Sequence, residues 1–274
     1  MKIGIIGTGN MGSILAEAMI ESQAIPPSHI TVTNRTLSKA RSLQRSFPDI
    51  KVAANAQETA LNCDFVFICV KPKDIFPLLQ QIKPALSRDS CLVSITSPVS
   101  IEQLESAVPT QVARVIPSIT NRALSGVSLV TFGHEMRESR KQELWKMLEQ
   151  FSLPVVIQED VTRAASDIVS CGPAFISYLL QRFIDAGVKE TKITREQATT
   201  LMEQMMIGFG KLMEKEIFTL ETLQEKVCVK GGVTGEGIEV LKEEVGPVFE
   251  HLFQRTHAKY ERDKEETKSQ FGIY

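Results

Sequence analysis

The chain has 274 residues, enough for two domains or one large one, and with 43% hydrophobic and 23% charged residues its composition is that of a globular protein. A formal net charge of −2 offers no basic field for nucleic acid, and the longest apolar stretches are too short to span a membrane. No signal peptide precedes the first folded motif, so we expect a cytoplasmic protein without nucleic-acid or membrane partners.

The five cysteines are scattered along the chain, and none belongs to a C-x-x-C pair. The four histidines show no ligand spacing with them. This distribution favours buried, reduced thiols over a disulfide framework or a metal site.

The chain begins with a strand-sized apolar segment, residues 2–6, followed at once by a glycine-rich turn and a predicted helix over residues 11–22. In the spacing G-x-G-x-x-G, the first glycine permits a tight turn, the second lets the backbone approach a pyrophosphate, and the third lets the helix pack on the strand. The N–H groups at the start of the helix then face the anion. We therefore predict a dinucleotide-binding turn, and a strand–helix turn without a ligand is the alternative. The residues of the predicted dinucleotide-binding turn are Gly7, Thr8, Gly9, Asn10, Met11 and Gly12.

The second predicted strand, residues 30–33, ends in Asn34, Arg35 and Thr36. Sites that prefer NAD carry an acidic residue here, which binds the ribose 2′-hydroxyl. None is present, whereas a guanidinium can bind a 2′-phosphate and a threonine at the helix N-cap can add a hydroxyl. The sequence therefore predicts NADPH in preference to NADH, unless Arg35 is simply a surface residue.

Further strand-sized segments alternate with helix signals as far as residue 158, which predicts an α/β domain, residues 1–158, with a doubly wound sheet. Asn55 and Ser100 are predicted helix caps. Val70 ends the most apolar segment, and Pro72 suits the first turn of a helix, so Lys71 should lie at the carboxyl end of a central parallel strand, where ligands bind. The segments are residues 51–54, 64–70, 91–95, 112–116, 128–132 and 154–157.

From residue 159 onward only helices are predicted, and their apolar, methionine-rich faces indicate burial against another subunit. We expect Gly187 to end the first helix, Thr194 to cap the second and the last dozen residues to fray. The predicted helices cover residues 174–186, a long segment from 194, then 219 or 221 to 227, 236–244 and 247–268. A second glycine-rich turn, residues 230–235, precedes the helix at 236.

The two glycine-rich turns bring a family into view, because from end to end the chain resembles the pyrroline-5-carboxylate reductases. The matching stretches are residues 5–12 (IIGTGNMG), 34–35 (NR), 70–72 (VKP), 114–117 (RVIP), 171–174 (CGPA), 185–189 (DAGVK) and 231–234 (GGVT). The resemblance implies reduction of 1-pyrroline-5-carboxylate to L-proline with NAD(P)H, the last step of proline biosynthesis. It also implies a Rossmann-type domain followed by an all-α domain, residues 159–274, whose helices interleave into a homodimer that often builds larger rings.

The resemblance also implies where the small imino-acid substrate lies. Thr234 aligns with a threonine of the catalytic region, and its hydroxyl would hydrogen-bond the substrate, while Ser170 belongs to a turn that would form the adjacent wall. The N–H groups of residues 231–234, which precede a predicted helix, would hold the substrate carboxylate. The nicotinamide would lie between residues 117–118 and these two turns. The substrate-binding candidates are Gly172, Pro173, Gly231, Gly232, Val233 and Thr234, and the catalytic candidates are Thr234 and Ser170.

The chain departs from the family on the substrate side. Ser118 stands where the family writes Asn, Val169 where it writes Ser, and Lys230 where it writes Pro. This pattern indicates a divergent paralogue, similar to late-competence proteins of Gram-positive bacteria that are classed in the family. Three functions stay open: a pyrroline-5-carboxylate reductase, a reductase of another small imine or keto acid, and a non-catalytic NADP-binding protein.

Overall fold

The structure, a computed structural model, describes residues 1–272. These residues contain eight strands and twelve α-helices. The strands are β1 Ile3–Ile6, β2 Ile30–Thr33, β3 Lys51–Val52, β4 Phe65–Ile68, β5 Cys91–Ser94, β6 Gln111–Ile116, β7 Val127–Phe132 and β8 Leu153–Val156. The helices are α1 Asn10–Glu21, α2 Leu37–Ser46, α3 Ala56–Ala60, α4 Pro72–Ile82, α5 Ile101–Ala107, α6 Glu138–Leu148, α7 Thr162–Ser166, α8 Gly172–Glu190, α9 Arg195–Glu214, α10 Leu220–Val227, α11 Val233–Val245 and α12 Val248–Phe271.

The strands form one sheet in the order β3-β2-β1-β4-β5-β6-β7-β8, and every neighbouring pair is parallel except β6 and β7. This order confirms the predicted doubly wound sheet, and each strand lies within two residues of its predicted bounds. The order reverses between β1 and β4, so the crevice for a ligand opens at their carboxyl ends.

Both faces of the sheet are covered, which explains why β4 is buried along its whole length. The alternation within β1 separates the two layers of the core: Ile3 and Ile5 belong to one apolar cluster, and Ile6 belongs to the other. Leu15 of α1 packs in the first cluster, and Leu79 of α4 packs in the second. The carboxyl edge of the sheet is therefore held by helices on both sides.

The predicted helix caps at Asn55, Ser100 and Thr194 are confirmed. The Asn55 Oδ1 atom accepts a hydrogen bond of 2.9 Å from the Glu58 amide. Ser100 forms a reciprocal pair with Gln103, at 3.2 Å and 2.8 Å, and Thr194 caps α9 in the same way. Each cap satisfies N–H groups that the first turn of a helix leaves without partners.

The chain divides into two compact units, Met1–Pro173 with the chain from Phe253 onward, and Ala174–Leu252. The division predicted at residue 158 does not coincide with this boundary. The reason is that residues 159–173 and the C-terminal part of α12 pack with the sheet unit: Arg114 of β6 binds Glu159 at 2.6 Å, and the Thr267 hydroxyl donates to the Pro98 carbonyl at 3.2 Å.

Two predictions about α8 and the segment that leads into it are wrong. Ser170 to Pro173 do not form a turn, because Asp167–Cys171 is a π-helical turn that leads from α7 into α8 without interruption. Gly187 does not end α8, which continues to Glu190. The Gly187 carbonyl instead accepts hydrogen bonds of 3.0 Å and 2.8 Å from the Thr191 amide and hydroxyl, so the helix ends one turn later than predicted.

The prediction of a fraying tail is also wrong for the residues that can be described. α12 continues to Phe271, and the Phe271 ring lies 4.8 Å from the Phe76 ring in an edge-to-face arrangement. Thr267 is buried and donates to the Pro98 carbonyl at 3.2 Å. The charged residues occupy the solvent side of an amphipathic helix whose other side packs on the sheet unit. Residues 273–274 of the predicted tail lie outside the described residues.

The second unit consists of helices that bury little apolar surface. Ile184 is its one buried residue among the described ones, whereas Phe183 is 72% exposed and Leu201 is 62% exposed. None of the helices within residues 1–272 combines the length and apolarity needed to cross a bilayer.

Candidate functional site

A cavity of about 650 Å³ opens at the carboxyl ends of β1, β2 and β4. The strand order brings together three segments that are far apart in the sequence, namely the glycine turn, the end of β2 and the end of β4. The predicted residues among those that line the cavity are Gly7, Gly9, Asn34, Arg35, Val70 and Lys71. Thr8, Asn10, Met11, Gly12, Thr36 and Pro72 lie in the same turns or at the starts of the adjoining helices.

Two of the three glycines are required by the packing of the protein. Gly7 has a φ of +105°, and a Cβ atom there would lie 2.4 Å from the Cys69 carbonyl oxygen. A Cβ atom on Gly12 would lie 1.9 Å from the Gly7 carbonyl oxygen. Side chains at these positions would therefore force α1 away from the strands.

Gly9 differs from them, because no protein atom lies within 4 Å of the position that its Cβ atom would take. Gly9 is the N-cap of α1, it provides no side-chain cap, and the first turn of the helix carries no acidic residue. The N–H groups of this turn are thus directed at open space beside the cavity. An anionic pyrophosphate fits this cradle, both through hydrogen bonds and through the helix dipole.

The end of β2 is linked to the glycine turn. The Asn34 side chain donates to the Thr8 hydroxyl at 3.2 Å and accepts from the Thr36 amide at 3.0 Å. Thr36 is the N-cap of α2, as predicted, and its hydroxyl makes no capping bond. Arg35 is exposed and has no ion-pair partner within residues 1–272. Its guanidinium is therefore available to an anion.

As predicted, Lys71 follows the carboxyl end of the central parallel strand β4. Lys71 is the exposed N-cap of α4, and Pro72 is the first residue of the helix. Cys69, which also lines the cavity, is half-buried, and desolvation raises the pKa of its thiol to about 12. The thiol is thus uncharged at neutral pH and does not repel a phosphate.

The carboxyl end of β6 contacts the π-helical turn through two hydroxyl groups. The Ser118 hydroxyl donates to the Val169 carbonyl at 2.7 Å, and the Ser170 hydroxyl donates to the Pro117 carbonyl at 2.8 Å. Ser118 is 1% exposed. Ser170 is therefore in direct contact with residue 117 and its hydroxyl proton is directed to the backbone, whereas the family resemblance implied a nicotinamide between these two segments.

A buried arginine below this contact was noted in the sequence only as part of a matching stretch. Arg114 on β6 is fully buried, and its guanidinium binds both carboxylate oxygens of Glu159, at 2.9 Å and 2.6 Å, and the Thr162 hydroxyl at 2.8 Å. An arginine inside an apolar strand is the signal that could have identified it, since a buried charge needs a partner. The ion pair ties β6 to the segment that leads into α7.

A second ion pair holds the π-helical turn itself. Arg163 donates to Asp167 at 2.8 Å and lies 3.4 Å from the Cys171 sulfur, while Asp167 also accepts from Thr256. Burial raises the pKa of the Cys171 thiol despite the nearby guanidinium. The turn is thus anchored to α7 and to α12.

The second glycine-rich turn belongs to the other compact unit. Gly231 has a φ of +75°, and Gly232 is the N-cap of α11 without a side-chain cap. α11 begins at Val233, earlier than predicted, so Thr234 lies half-buried within the first turn of the helix. Lys230 is exposed, and its charge adds to that of the helix start.

Comparison with known proteins first shows the class of protein whose fold the chain shares. Residues 2–98 match a family model described as NADP oxidoreductase, coenzyme F420-dependent, and residues 159–263 match the model for pyrroline-5-carboxylate reductase dimerisation. A crystal structure of Plasmodium falciparum pyrroline carboxylate reductase with NADP bound has the same fold, with a TM-score of 0.82, 24% identity and coverage of 97% of this chain and 98% of that one. The chain thus has the fold of the Rossmann-type NAD(P)-dependent oxidoreductases.

The relatives define the family. The chain is 30% identical to pyrroline-5-carboxylate reductase 3 of Bacillus subtilis (strain 168), over 95% of this chain and 96% of that protein. It is 55% identical to ComE operon protein 4 of the same organism over the full length of both. The chain belongs to the pyrroline-5-carboxylate reductase family, which confirms the resemblance found in its motifs.

The different roles of the glycines predict different outcomes for the same substitution. Gly9→Ala should fold normally, because its φ of −78° suits alanine and the space is open, but should weaken binding of the dinucleotide about 10- to 100-fold by obstructing the pyrophosphate. Gly12→Ala should lower the thermal midpoint of the protein itself. Calorimetric titration and thermal unfolding measure the two effects, and equal loss of stability in both variants would contradict the assignment.

Proposed function

We propose that this protein reduces 1-pyrroline-5-carboxylate to L-proline with NADPH. The observation that carries the proposal is the uncapped start of α11, where Gly231, Gly232 and Thr234 are kept as in the family. A cyclic imino acid presents one carboxylate and one imine nitrogen, and an uncapped helix start with a hydroxyl in its first turn provides partners for such groups. End-to-end similarity to a protein named pyrroline-5-carboxylate reductase supports this reading.

NADPH, when bound, supplies the hydride that reduces the C=N bond, while the ring nitrogen takes up a proton. The chain's own residues bind and orient the reactants. Gly9 and the first turn of α1 hold the pyrophosphate, Arg35 and Thr36 bind the 2′-phosphate, and Lys71 lies along the cavity. We assign the substrate carboxylate to the N–H groups of residues 231–233 and a hydrogen bond to the Thr234 hydroxyl. Catalysis of this type rests on positioning and charge stabilisation.

The substitutions on the substrate side favour a second candidate, in which the substrate is another small imine or keto acid. Lys230 adds a positive charge at the start of α11, and the Ser118 hydroxyl is bonded within the protein. A steady-state assay of NADPH oxidation with 1-pyrroline-5-carboxylate and a panel of cyclic imines and keto acids separates the two. The preferred candidate requires the highest kcat/KM with 1-pyrroline-5-carboxylate. NADPH binding without turnover of any compound would instead support a non-catalytic NADP-binding protein related to ComE operon protein 4.

Arg35→Ala should raise the Kd for NADPH about 10- to 100-fold and change the Kd for NADH less than about twofold, because only NADPH carries the 2′-phosphate. Titration of cofactor fluorescence measures both constants. Arg41→Ala is the matched control, since Arg41 is an exposed arginine of α2 that does not line the cavity. Equal losses for the two cofactors would show that Arg35 does not bind the phosphate.

Thr234→Ala should lower kcat/KM for 1-pyrroline-5-carboxylate about 10- to 100-fold, because it removes a hydrogen bond to a charged substrate. The Kd for NADPH should stay unchanged. Thr234→Ser keeps the hydroxyl and should recover most of the activity. If serine and alanine are equally impaired, the hydroxyl is not the group that binds the substrate.

We further propose that the helical unit pairs with a second copy of the chain, and such dimers can assemble into larger rings. A unit in which only one residue of 174–252 is buried lacks a core of its own. Its exposed apolar side chains coincide with the region that matches the dimerisation model, residues 159–263. A second copy would bury this surface.

Phe183→Glu should shift the protein from dimer toward monomer, because it places a charge in the apolar interface. Sedimentation velocity over a range of concentrations measures the shift. Gln181→Glu is the control, because residue 181 is exposed and lies about 200° around the helix from residue 183. A dimer of unchanged stability in Phe183→Glu would place the interface elsewhere.

A further inference from the structure

The contact between the end of β6 and the π-helical turn has a specific cause in the sequence. In an α-helix, the amide of residue 173 would bond the carbonyl of residue 169, but Pro173 has no N–H to donate. The π-helical turn Asp167–Cys171 ends two residues before this proline. The Val169 carbonyl is thereby left open to a donor from outside the helix, and the Ser118 hydroxyl occupies it at 2.7 Å.

The second bond runs in the opposite direction. The Ser170 hydroxyl donates to the Pro117 carbonyl at 2.8 Å, so two adjacent residues on each side exchange hydrogen bonds, each from a side chain to the backbone. Residues 117–118 and 169–170 are more than 50 positions apart in the chain. Together we call these four residues the serine clasp.

The Ser118 hydroxyl has no capacity left for a ligand. Its donor is used on Val169, and its two acceptor positions are used by the Thr120 hydroxyl at 2.9 Å and the Thr120 amide at 3.3 Å. The Ser118 amide in turn donates to the Asn121 side chain at 2.8 Å. At the position where the family has Asn, this chain therefore has a serine whose hydroxyl is fully hydrogen-bonded within the protein.

Both sides of the clasp are anchored elsewhere. Arg114, which precedes Pro117 by three residues, fixes β6 to Glu159 and Thr162, and Asp167 ties the π-helical turn to α12. The clasp lies at the carboxyl edge of the sheet, where the nicotinamide end of a dinucleotide is expected once its pyrophosphate is held at Gly9. π-helical turns of this kind frequently accompany functional sites.

We propose that the serine clasp positions the nicotinamide side of the site, with Ser118 and Ser170 acting as positioning residues that keep the end of β6 and the π-helical turn at a fixed separation. This inference rests on the proposed reductase activity, because a fixed separation matters for hydride transfer. It reassigns Ser170 from a catalytic candidate to a positioning residue, since its hydroxyl proton is held by the Pro117 carbonyl.

Hydrogen–deuterium exchange of the full-length protein tests the clasp without any need for turnover. Ser118→Ala and Ser170→Ala should each raise amide exchange about tenfold in residues 116–122 and in residues 167–172, because each variant leaves a backbone carbonyl without its donor. Exchange in α1 should not change. Ser128→Ala is the matched control, because Ser128 is a buried serine of β7 whose hydroxyl has no hydrogen-bond partner within residues 1–272.

Single-turnover kinetics with 1-pyrroline-5-carboxylate and NADPH deuterated at the transferred position test the consequence. The clasp variants should slow hydride transfer about 10- to 100-fold, with an isotope effect at least as large as that of the wild type and an unchanged Kd for NADPH. Combining both substitutions should add little to either one, since the bonds hold the same contact. If Ser118→Ala does not fold, the same measurements on Ser170→Ala alone test the serine clasp.

The two proposals fail in different ways. Absence of turnover in the wild-type protein would remove the proposed function, while the exchange measurements would still decide whether the clasp exists. Wild-type turnover with clasp variants that exchange and react like Ser128→Ala would overturn the clasp and leave the proposed function intact.

Discussion

The dinucleotide site depends on a close backbone contact at the start of the chain. α1 approaches β1 so closely that Gly12 has no room for a Cβ atom against Gly7, and Gly7 in turn lies against the end of β4. The Gly7 amide donates to the end of β2 at 2.9 Å. Three strands and one helix therefore meet at a single turn, and this meeting directs the N–H groups of α1 into the crevice. Gly9 is the one glycine of the three that no packing contact requires, which is why we propose that its small size serves the ligand.

The carboxyl end of β6, farther along the sheet, is held by polar contacts. Arg114 is buried completely, and the Glu159 carboxylate that pairs with it is about half exposed, at 48%. A buried ion pair is a weak source of stability, because desolvation of the charges offsets their attraction, but its directional hydrogen bonds specify one arrangement. The Arg114–Glu159 pair thereby specifies the position of β6 relative to the start of α7. The serine clasp continues it to the carboxyl edge of the sheet, where a reaction would take place.

Four ionisable side chains line the candidate site, namely Arg35, Cys69, Lys71 and Asp74. Lys71 and Arg35 are exposed cations that suit phosphates, and the Cys69 thiol is kept neutral by burial. Such a site is suited to a reaction in which the cofactor provides the reducing equivalent and the protein provides orientation. The geometry of backbone groups, set by glycines and prolines, then matters more than the identity of a general acid.

The sequence determined the elements that follow from local rules. Alternating apolar segments predicted all eight strands, Asn55 and Ser100 predicted helix starts, and the spacing of Gly7, Gly9 and Gly12 predicted the turn. Such signals are local, because strand burial, capping and tight turns depend on residues close together in the chain. The family resemblance was readable for the same reason, since its motifs are short and contiguous.

Tertiary structure alone decided the features that depend on distant partners. Pro173 reads as a turn residue, yet the chain stays helical through it, because a π-helical turn precedes it and Ser118 satisfies the Val169 carbonyl. The charged end of α12 reads as a fraying tail, yet Phe271 packs against Phe76. Arg114 gives no local sign of its pairing with Glu159. In each case, long-range packing overrides the local preference, because the partner that stabilises the residue is supplied by another part of the fold.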